Sequence, residues 1–149
     1  MKEFDLKGLD QAIGKLKQLP NNMRKKVVMG SMRKGSMVVV RAAKANAMGI
    51  DDPGTGRKIA SNIQARFASK LYRSTGDVAY RVGVATPKGP IPKGNPDEGD
   101  KGPTPHWLLK EWGTEKMAAE PFMLPALEAN VELATDAVAA EMRKRLDKL

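Results

Sequence analysis

Apolar residues recur at helical spacing in three segments of the chain. Within residues 6–19 they lie three or four positions apart, which predicts a short amphipathic helix that Pro20 ends. A longer pattern over residues 22–48 predicts a second helix. A third pattern runs from Pro121 to the end of the chain. The apolar faces of the three helices comprise Leu6, Leu9, Ile13, Leu16 and Leu19; Val27, Val28, Met32, Gly35, Val38, Val39, Ala42, Ala43 and Ala45; and Leu124, Leu127, Val131, Ala134, Val138, Met142 and Leu149.

The period changes to two in the middle of the chain. Apolar and polar residues alternate over residues 63–72 and again over residues 78–85, which is typical of strands. Residues 74–77 include a glycine and suit the turn between two such strands. The pattern therefore predicts a β-hairpin with one apolar face, which must be covered by helices to be stable. The polar face of this hairpin carries Arg66, Lys70 and Arg81.

A proline-rich segment and a short tryptophan-containing segment follow the hairpin. Residues 86–105 contain six prolines and four glycines and cannot sustain a helix or a central strand. They form either a flexible arm that orders on a partner or a variable surface loop. From Trp107 to Trp112 the pattern predicts a short helix that Gly113 ends. We expect the two tryptophans to anchor the core rather than to stack on nucleobases.

These elements together predict an α+β fold. It has two N-terminal helices, one of them long, a β-hairpin or small antiparallel sheet, a long Pro/Gly-rich loop and a long C-terminal helix. A chain of 149 residues suits one domain that spans residues 1–149.

The composition offers little for catalysis. The chain has no cysteine and a single histidine, His106, which excludes thiol chemistry and Cys-ligated metals and leaves little for a catalytic triad. Neither the adjacent pair Asp51 and Asp52 nor the pair Glu111 and Glu115 forms a catalytic or metal-binding constellation. The longest apolar run has four residues, and the N-terminus lacks the pattern of a signal peptide. We therefore expect no enzyme, no cofactor, no metal and no membrane contact.

Charge is unevenly distributed along the chain, whose net charge is +9. Residues 1–85 hold 17 basic and 6 acidic side chains, whereas residues 120–149 hold four basic and six acidic ones. One arc of the predicted helix 22–48 is basic, and it is either a solvated surface or a contact with DNA or an acidic partner. This arc consists of Lys26, Arg33, Lys34, Arg41 and Lys44. The candidate acidic partners on the last helix are Glu128, Glu132, Asp136 and Glu141.

Two motifs carry a resemblance to a known protein family. Glu111-Trp112-Gly113-Thr114 matches an E-x-G-T element, and residues 119–127 match the pattern (A/R)-x-P-F-(L/M)-x-P-A-(L/F) that opens the last helix. With these motifs and the order of its elements, the chain resembles the small neck or tail-completion proteins of long-tailed, siphovirus-type bacteriophages, known as tail components. The residues expected to determine the fold are Trp112, Gly113, Thr114, Pro121, Phe122, Pro125 and Leu127.

The resemblance implies a structural protein of the virion that assembles in the cytoplasm of the host bacterium. Such proteins form part of the head–tail connector, a ring that joins the tail to the DNA-filled head and lets DNA pass. The expected partners are further copies of the chain in a hexameric ring, neighbouring head-closure and tail-terminator or tail-tube proteins, and packaged DNA through non-specific contacts. The basic residues then either line a DNA channel or pair with acidic residues of a neighbouring subunit.

A second function from a different class also fits the charge. A small basic cytoplasmic protein could bind nucleic acid through the helix 22–48. The lack of a recognised DNA-binding motif counts against this alternative.

Overall fold

The two longest helices pack against each other and form the frame of the molecule. The computed structural model describes residues 7–51, 58–85 and 107–149. The elements in chain order are α1 (Lys7–Lys17), α2 (Asn21–Met48), α3 (Ile59–Asn62), β1 (Ile63–Phe67), α4 (Ser69–Thr75), β2 (Tyr80–Val84), α5 (Trp107–Trp112) and α6 (Met123–Asp147). This is the α+β architecture that the sequence predicts, with α1, α2 and α6 close to their expected limits.

Small residues let α2 and α6 approach closely. A Cβ atom on Gly35 would collide with the Val138 side chain and lie 2.9 Å from the Ala134 carbonyl oxygen. Gly30 likewise leaves room for the guanidinium group of Arg145. Close approach of this kind requires residues without a side chain at the crossing, because larger ones would separate the helix axes. At the end of this pair, α1 completes a small core of Ala12, Leu16, Val27 and Met142.

The strands β1 and β2 form an antiparallel two-stranded ribbon, and one of its faces packs on α2. The register places Ile63 opposite Val84 and Phe67 opposite Tyr80. Side chains from the inner face of this ribbon join the main core, where α2, α3 and the start of α6 meet. The buried members of that core are Val40, Ala43, Ala47, Ile59, Ala60, Ile63, Phe122 and Ala126.

The predicted hairpin is wrong in its length and in its turn. Strand β1 ends at Phe67, and residues 69–75 form helix α4 instead of strand and turn. Phe67 and Leu71 lie four residues apart, a spacing that suits a helix as well as alternation does. Gly76 then ends α4 with a φ of +79°, the left-handed conformation typical of a helix C-terminus. Lys70 is therefore on a helix rather than on the strand.

The buried side of α2 also differs from the predicted apolar face. Val40 and Ala47 are buried although they lie outside that face, whereas Ala45 is exposed. The first half of α2 packs on α1 and α6, and the second half packs on α3, the ribbon and Phe122. Because these partners lie on different sides, the buried stripe turns around the helix. The proline-rich segment 86–105 and most of the loop 49–58 lie outside the described residues.

Candidate interaction surfaces

A buried carboxylate joins α5 to the start of α6. Glu111 is only 6% exposed, and its Oε2 accepts hydrogen bonds from the backbone N–H groups of Phe122 and Met123 at 2.8 and 3.1 Å. Its Oε1 accepts a third from the N–H of Leu124 at 3.0 Å. The first N–H groups of a helix have no partner within the helix, so this carboxylate satisfies them and complements the helix dipole. The glutamate of the E-x-G-T element thus caps the helix that the second motif opens.

The turn after Glu111 explains the glycine of the same element. Gly113 has a φ of +74°, and a Cβ atom there would lie 2.7 Å from the backbone nitrogen of Ala119. Thr114 and Met117 then close a tight turn through backbone hydrogen bonds of 2.8 and 3.3 Å. The chain returns so that the N–H of Glu120 donates to the carbonyl of Lys110 at 2.7 Å. These contacts bring the two motifs together in space.

An open apolar groove lies beside this junction. It has a volume of about 750 Å³ and runs between α2, β2, α5 and α6. Several of its large apolar side chains are strongly exposed, including Trp112 at 72%, Leu127 at 50% and Leu124 at 48%. Because these exposed apolar side chains cluster in one groove, the groove is a candidate interaction site. Its main lining residues are Met32, Gly35, Val39, Tyr80, Val82, Trp107, Trp112, Met123, Leu124, Leu127, Val131, Ala134 and Val138.

The groove corrects two expectations from the sequence. Trp107 packs against the core, as expected, but Trp112 lies at the surface and anchors nothing within the described part of the chain. The apolar stripe of α6 is continuous in sequence, yet among the described residues α2 and α1 cover only its middle part, around Val138 and Met142. Leu124, Leu127 and Val131, in the N-terminal part of the stripe, are exposed. The other residues expected to determine the fold also differ in burial: Phe122 is fully buried, Pro125 is half-buried and Pro121 is exposed.

The basic residues of α2 lie on its outer side. Lys26, Arg33, Lys34 and Arg41 are exposed, and Lys44 is half-buried. Arg41 donates only to the carbonyl oxygen of Met37 in its own helix, at 3.2 Å. Among the described residues, none of the five makes an ion pair with an acidic side chain. These cations are therefore held apart from the carboxylates of the described residues.

The basic residues predicted on the hairpin also come together, on the outer face of the ribbon. Arg66 and Arg81 lie directly opposite each other in the register. Lys70 reaches the same place from the first turn of α4, and all three line one open concavity of about 530 Å³. The linings of this concavity and of the apolar groove share Val82 and Gly83 of β2.

The acidic residues of α6 do not form one set. Glu128, Glu132 and Asp136 are exposed, and none has an ion pair with another described residue. Glu141 is half-buried and accepts from Arg145 Nε at 3.0 Å within the same helix. Glu141 is thus already paired, which makes it a poor candidate for contact with a neighbour.

Two classes of site find no support in the described part of the chain. No three His, Cys, Asp or Glu side chains there are close enough together to hold a metal ion. Across residues 7–51, 58–85 and 107–149, no helix is both long and apolar enough to cross a membrane.

A comparison with protein families bears on the first 113 residues, which end within the E-x-G-T element. Residues 10–113, from α1 to the glycine after α5, match the family described as "Bacteriophage HK97-gp10, putative tail-component". The chain belongs to this family. No curated protein and no solved structure matches the chain significantly. The resemblance to phage tail components is thereby confirmed. The chain is a tail-related structural protein of a bacteriophage. Its family is not described as enzymatic.

The sequence pointed to the family and to several charged residues but missed two features of the site. The sequence places Glu111 in the E-x-G-T element but does not indicate its role as a helix cap, because that role depends on a turn that brings together residues eleven to thirteen positions apart. The groove was missed because an apolar stripe on a helix does not reveal which part of it remains uncovered. The exposed Trp112 beside a leucine-rich helix start is the one sequence signal that could have indicated it.

Proposed function

We propose that this HK97-gp10-like tail component is a subunit of the head–tail connector, a neck or tail-completion ring that joins the tail to the DNA-filled head and lets DNA pass. The observation that carries the proposal is the apolar groove, which residues 7–51, 58–85 and 107–149 leave open. A structural protein that works in an assembly must cover such a surface with a partner, because burial of apolar area drives association.

The charges on either side of the molecule favour a second copy as that partner. Glu132 follows Glu128 by four residues and both are exposed, so an acidic row runs along the outer surface of α6. Asp136 continues this row, which spans about 12 Å from its first to its last residue at 1.5 Å per residue. None of the three has an ion pair with another described residue.

The outer side of α2 provides a matching row of opposite charge. Arg33 and Arg41 are separated by eight residues, the same interval as Glu128 and Asp136. When one copy places its basic row against the acidic row of the next, two different surfaces meet. Such a heterologous contact closes into a ring when the rotation between subunits divides a full circle. Six copies would match the sixfold symmetry of a long tail, and the two rims of the ring would meet the head-closure protein and the tail-terminator or tail-tube protein.

Charge reversal tests this pairing. Lys26, Arg33, Arg41 and Lys44 are replaced together by glutamate, and the variant is supplied to a phage that lacks the wild-type gene. Because these side chains lie away from the core, the fold should survive, whereas repulsion between neighbours should block ring closure and leave heads without tails. Electron microscopy of the particles and circular dichroism of the purified variant measure the two effects.

A compensating variant gives the decisive comparison. Lysine in place of Glu128, Glu132 and Asp136, combined with the reversed α2, should restore tailed particles. Glu141 is left unchanged because it already pairs with Arg145. Tailed particles in normal yield from the reversed α2 alone would contradict the pairing. A stable dimer that binds DNA and never enters particles would favour the nucleic-acid-binding alternative.

A further inference from the structure

The outer face of the ribbon concentrates positive charge in an unusual way. The N–H of Ala68 donates to the carbonyl of Ala79 at 2.9 Å, and the N–H of Ala85 donates to the carbonyl of Asn62 at 2.8 Å. Hydrogen-bonded and non-hydrogen-bonded pairs alternate along an antiparallel ladder. The two bonded pairs lie two and four positions from Arg66 and Arg81, so Arg66 and Arg81 are also a hydrogen-bonded pair. Their Cα atoms are then about 5.5 Å apart, with both side chains on the same face.

This arrangement has a cost within the subunit. Like charges directly opposite each other across two strands destabilise the pairing. Lys70 adds a third cation to the same concavity, and among the described residues that line it there is no aspartate or glutamate. An anion bound between these three cations would offset the repulsion that the described lining residues leave uncompensated.

The concavity also offers oriented donors. With its side-chain amide turned so that the oxygen faces Arg66, Gln64 accepts from the Nε and Nη2 atoms at 2.5 and 2.7 Å. This contact holds the guanidinium group and leaves three of its five N–H donors free for a ligand. The fork of an arginine side chain matches the oxygens of a phosphate group, to which it binds in a bidentate manner.

The surroundings favour a nucleic acid over a protein as the source of the anion. The large hydrophobic side chains that are exposed in the described residues lie on α1, α2, α5, α6 and the C-terminus, and none of them lies on the ribbon or on α4. A protein interface normally has an apolar, charge-depleted centre. Contacts to a DNA backbone need only cations and hydrogen-bond donors.

We propose that the concavity formed by Arg66, Lys70 and Arg81 binds the phosphodiester backbone of double-stranded DNA without sequence preference. The inference rests on the proposed function in that a connector surrounds DNA, and it divides the two basic surfaces between two tasks. The ribbon contacts DNA, and the basic row of α2 contacts the neighbouring subunit.

Gly83 allows a test that changes the charge of this face with little change in shape. It lies on β2 opposite Gln64, and a Cβ atom there would meet no atom within 4 Å. A Gly83→Glu variant therefore places a carboxylate beside the arginines, and Gly83→Gln is its neutral control of equal size. Fluorescence anisotropy with a labelled random-sequence duplex, read at several salt concentrations, measures the affinity.

The expected result separates the two variants and the two surfaces. Gly83→Glu should weaken binding by about tenfold at low salt, and Gly83→Gln by less than about twofold, because only the carboxylate competes with phosphate. The double variant Arg66→Gln/Arg81→Gln should lower the slope of log affinity against log salt by about two, since two phosphate contacts are lost. The matched variant Arg33→Gln/Arg41→Gln removes the same charge from α2 and should leave the slope unchanged.

Other outcomes would overturn the inference. Equal loss of binding in the α2 double variant would show that DNA senses only net charge, and unchanged binding in the ribbon variants would show that the concavity does not contact DNA. If the ribbon variants still assemble into tailed particles, binding of the concavity to an acidic protein surface is excluded. Failure of the proposed connector function is distinguishable from failure of this inference. It would appear as absence of the chain from particles, and the DNA measurements on the purified subunit do not depend on it.

Discussion

Glu111 shows how one side chain can hold two segments in place. Its two carboxylate oxygens accept three backbone N–H groups at the start of α6, while its own helix, α5, forms one wall of the apolar groove. The position of that wall relative to α6 is therefore fixed by a charge-assisted network rather than by apolar packing alone. Gly113 allows the chain to turn back immediately after this residue.

A Glu111→Gln variant should be clearly less stable than the wild type. Glutamine has a similar shape but no charge, and its amide nitrogen can only donate where the N–H groups also donate. We expect a loss of about 1–3 kcal/mol in the free energy of unfolding, the usual cost of leaving buried donors unsatisfied. Urea denaturation followed by circular dichroism measures it, and the exposed Glu115→Gln variant in the next turn is the control. Equal stability of the two variants would contradict the capping role.

At the scale of elements, the sequence predicts the helices well because each repeats its pattern over several turns. The limits of α1, α2 and α6 follow from apolar spacing, from Pro20 and from the motif at Pro121. The ribbon is predicted in kind but not in length, because two turns of helix α4 contain apolar residues that also fit alternation. Tertiary contacts decide whether such short segments form helix or strand. Here the ring of Phe67 packs against Tyr72 of α4, at 5.7 Å between ring centroids, and against Tyr80 of β2, at 5.6 Å.

The contact between α2 and α6 gives a prediction at the same scale. A Gly35→Ala variant places a methyl group against Val138 and 2.9 Å from the Ala134 carbonyl, so the helices must move apart. We expect a loss of about 1–3 kcal/mol, as for other overpacked contacts. Gly14→Ala in α1 is the control, because its Cβ meets no atom within 4 Å and alanine should stabilise that helix by about 0.5–1 kcal/mol. Thermal unfolding measures both, and a Gly35→Ala variant as stable as the wild type would contradict the close packing.

At the scale of the whole molecule, three surfaces of different chemistry lie on one small frame. The apolar groove lies between α2, β2, α5 and α6, the outer side of α2 is basic, and the ribbon carries a compact cationic concavity. The sequence alone indicates the charged sets, because charge segregates by element. It also places Arg66, Lys70 and Arg81 on one face, although Lys70 reaches that face from α4 and not from a strand. It does not indicate the groove, because the groove depends on how α5 and α6 lie against the ribbon. That separation of surfaces is what an assembly subunit with several neighbours requires.

The most direct test of the proposed connector subunit is electron microscopy of particles made with a Leu127→Lys variant. Leu127 lines the groove and is half exposed, so lysine should leave the subunit folded but block the neighbour that covers it. Leu133→Lys is the matched control on the same helix, because Leu133 is at least as exposed and lies outside the groove. The account predicts heads and tails that remain separate with Leu127→Lys, and tailed particles with Leu133→Lys. Normal tailed particles with Leu127→Lys would contradict this account. A melting temperature of Leu127→Lys far below that of Leu133→Lys would also contradict it, because the groove would then be covered within the subunit itself.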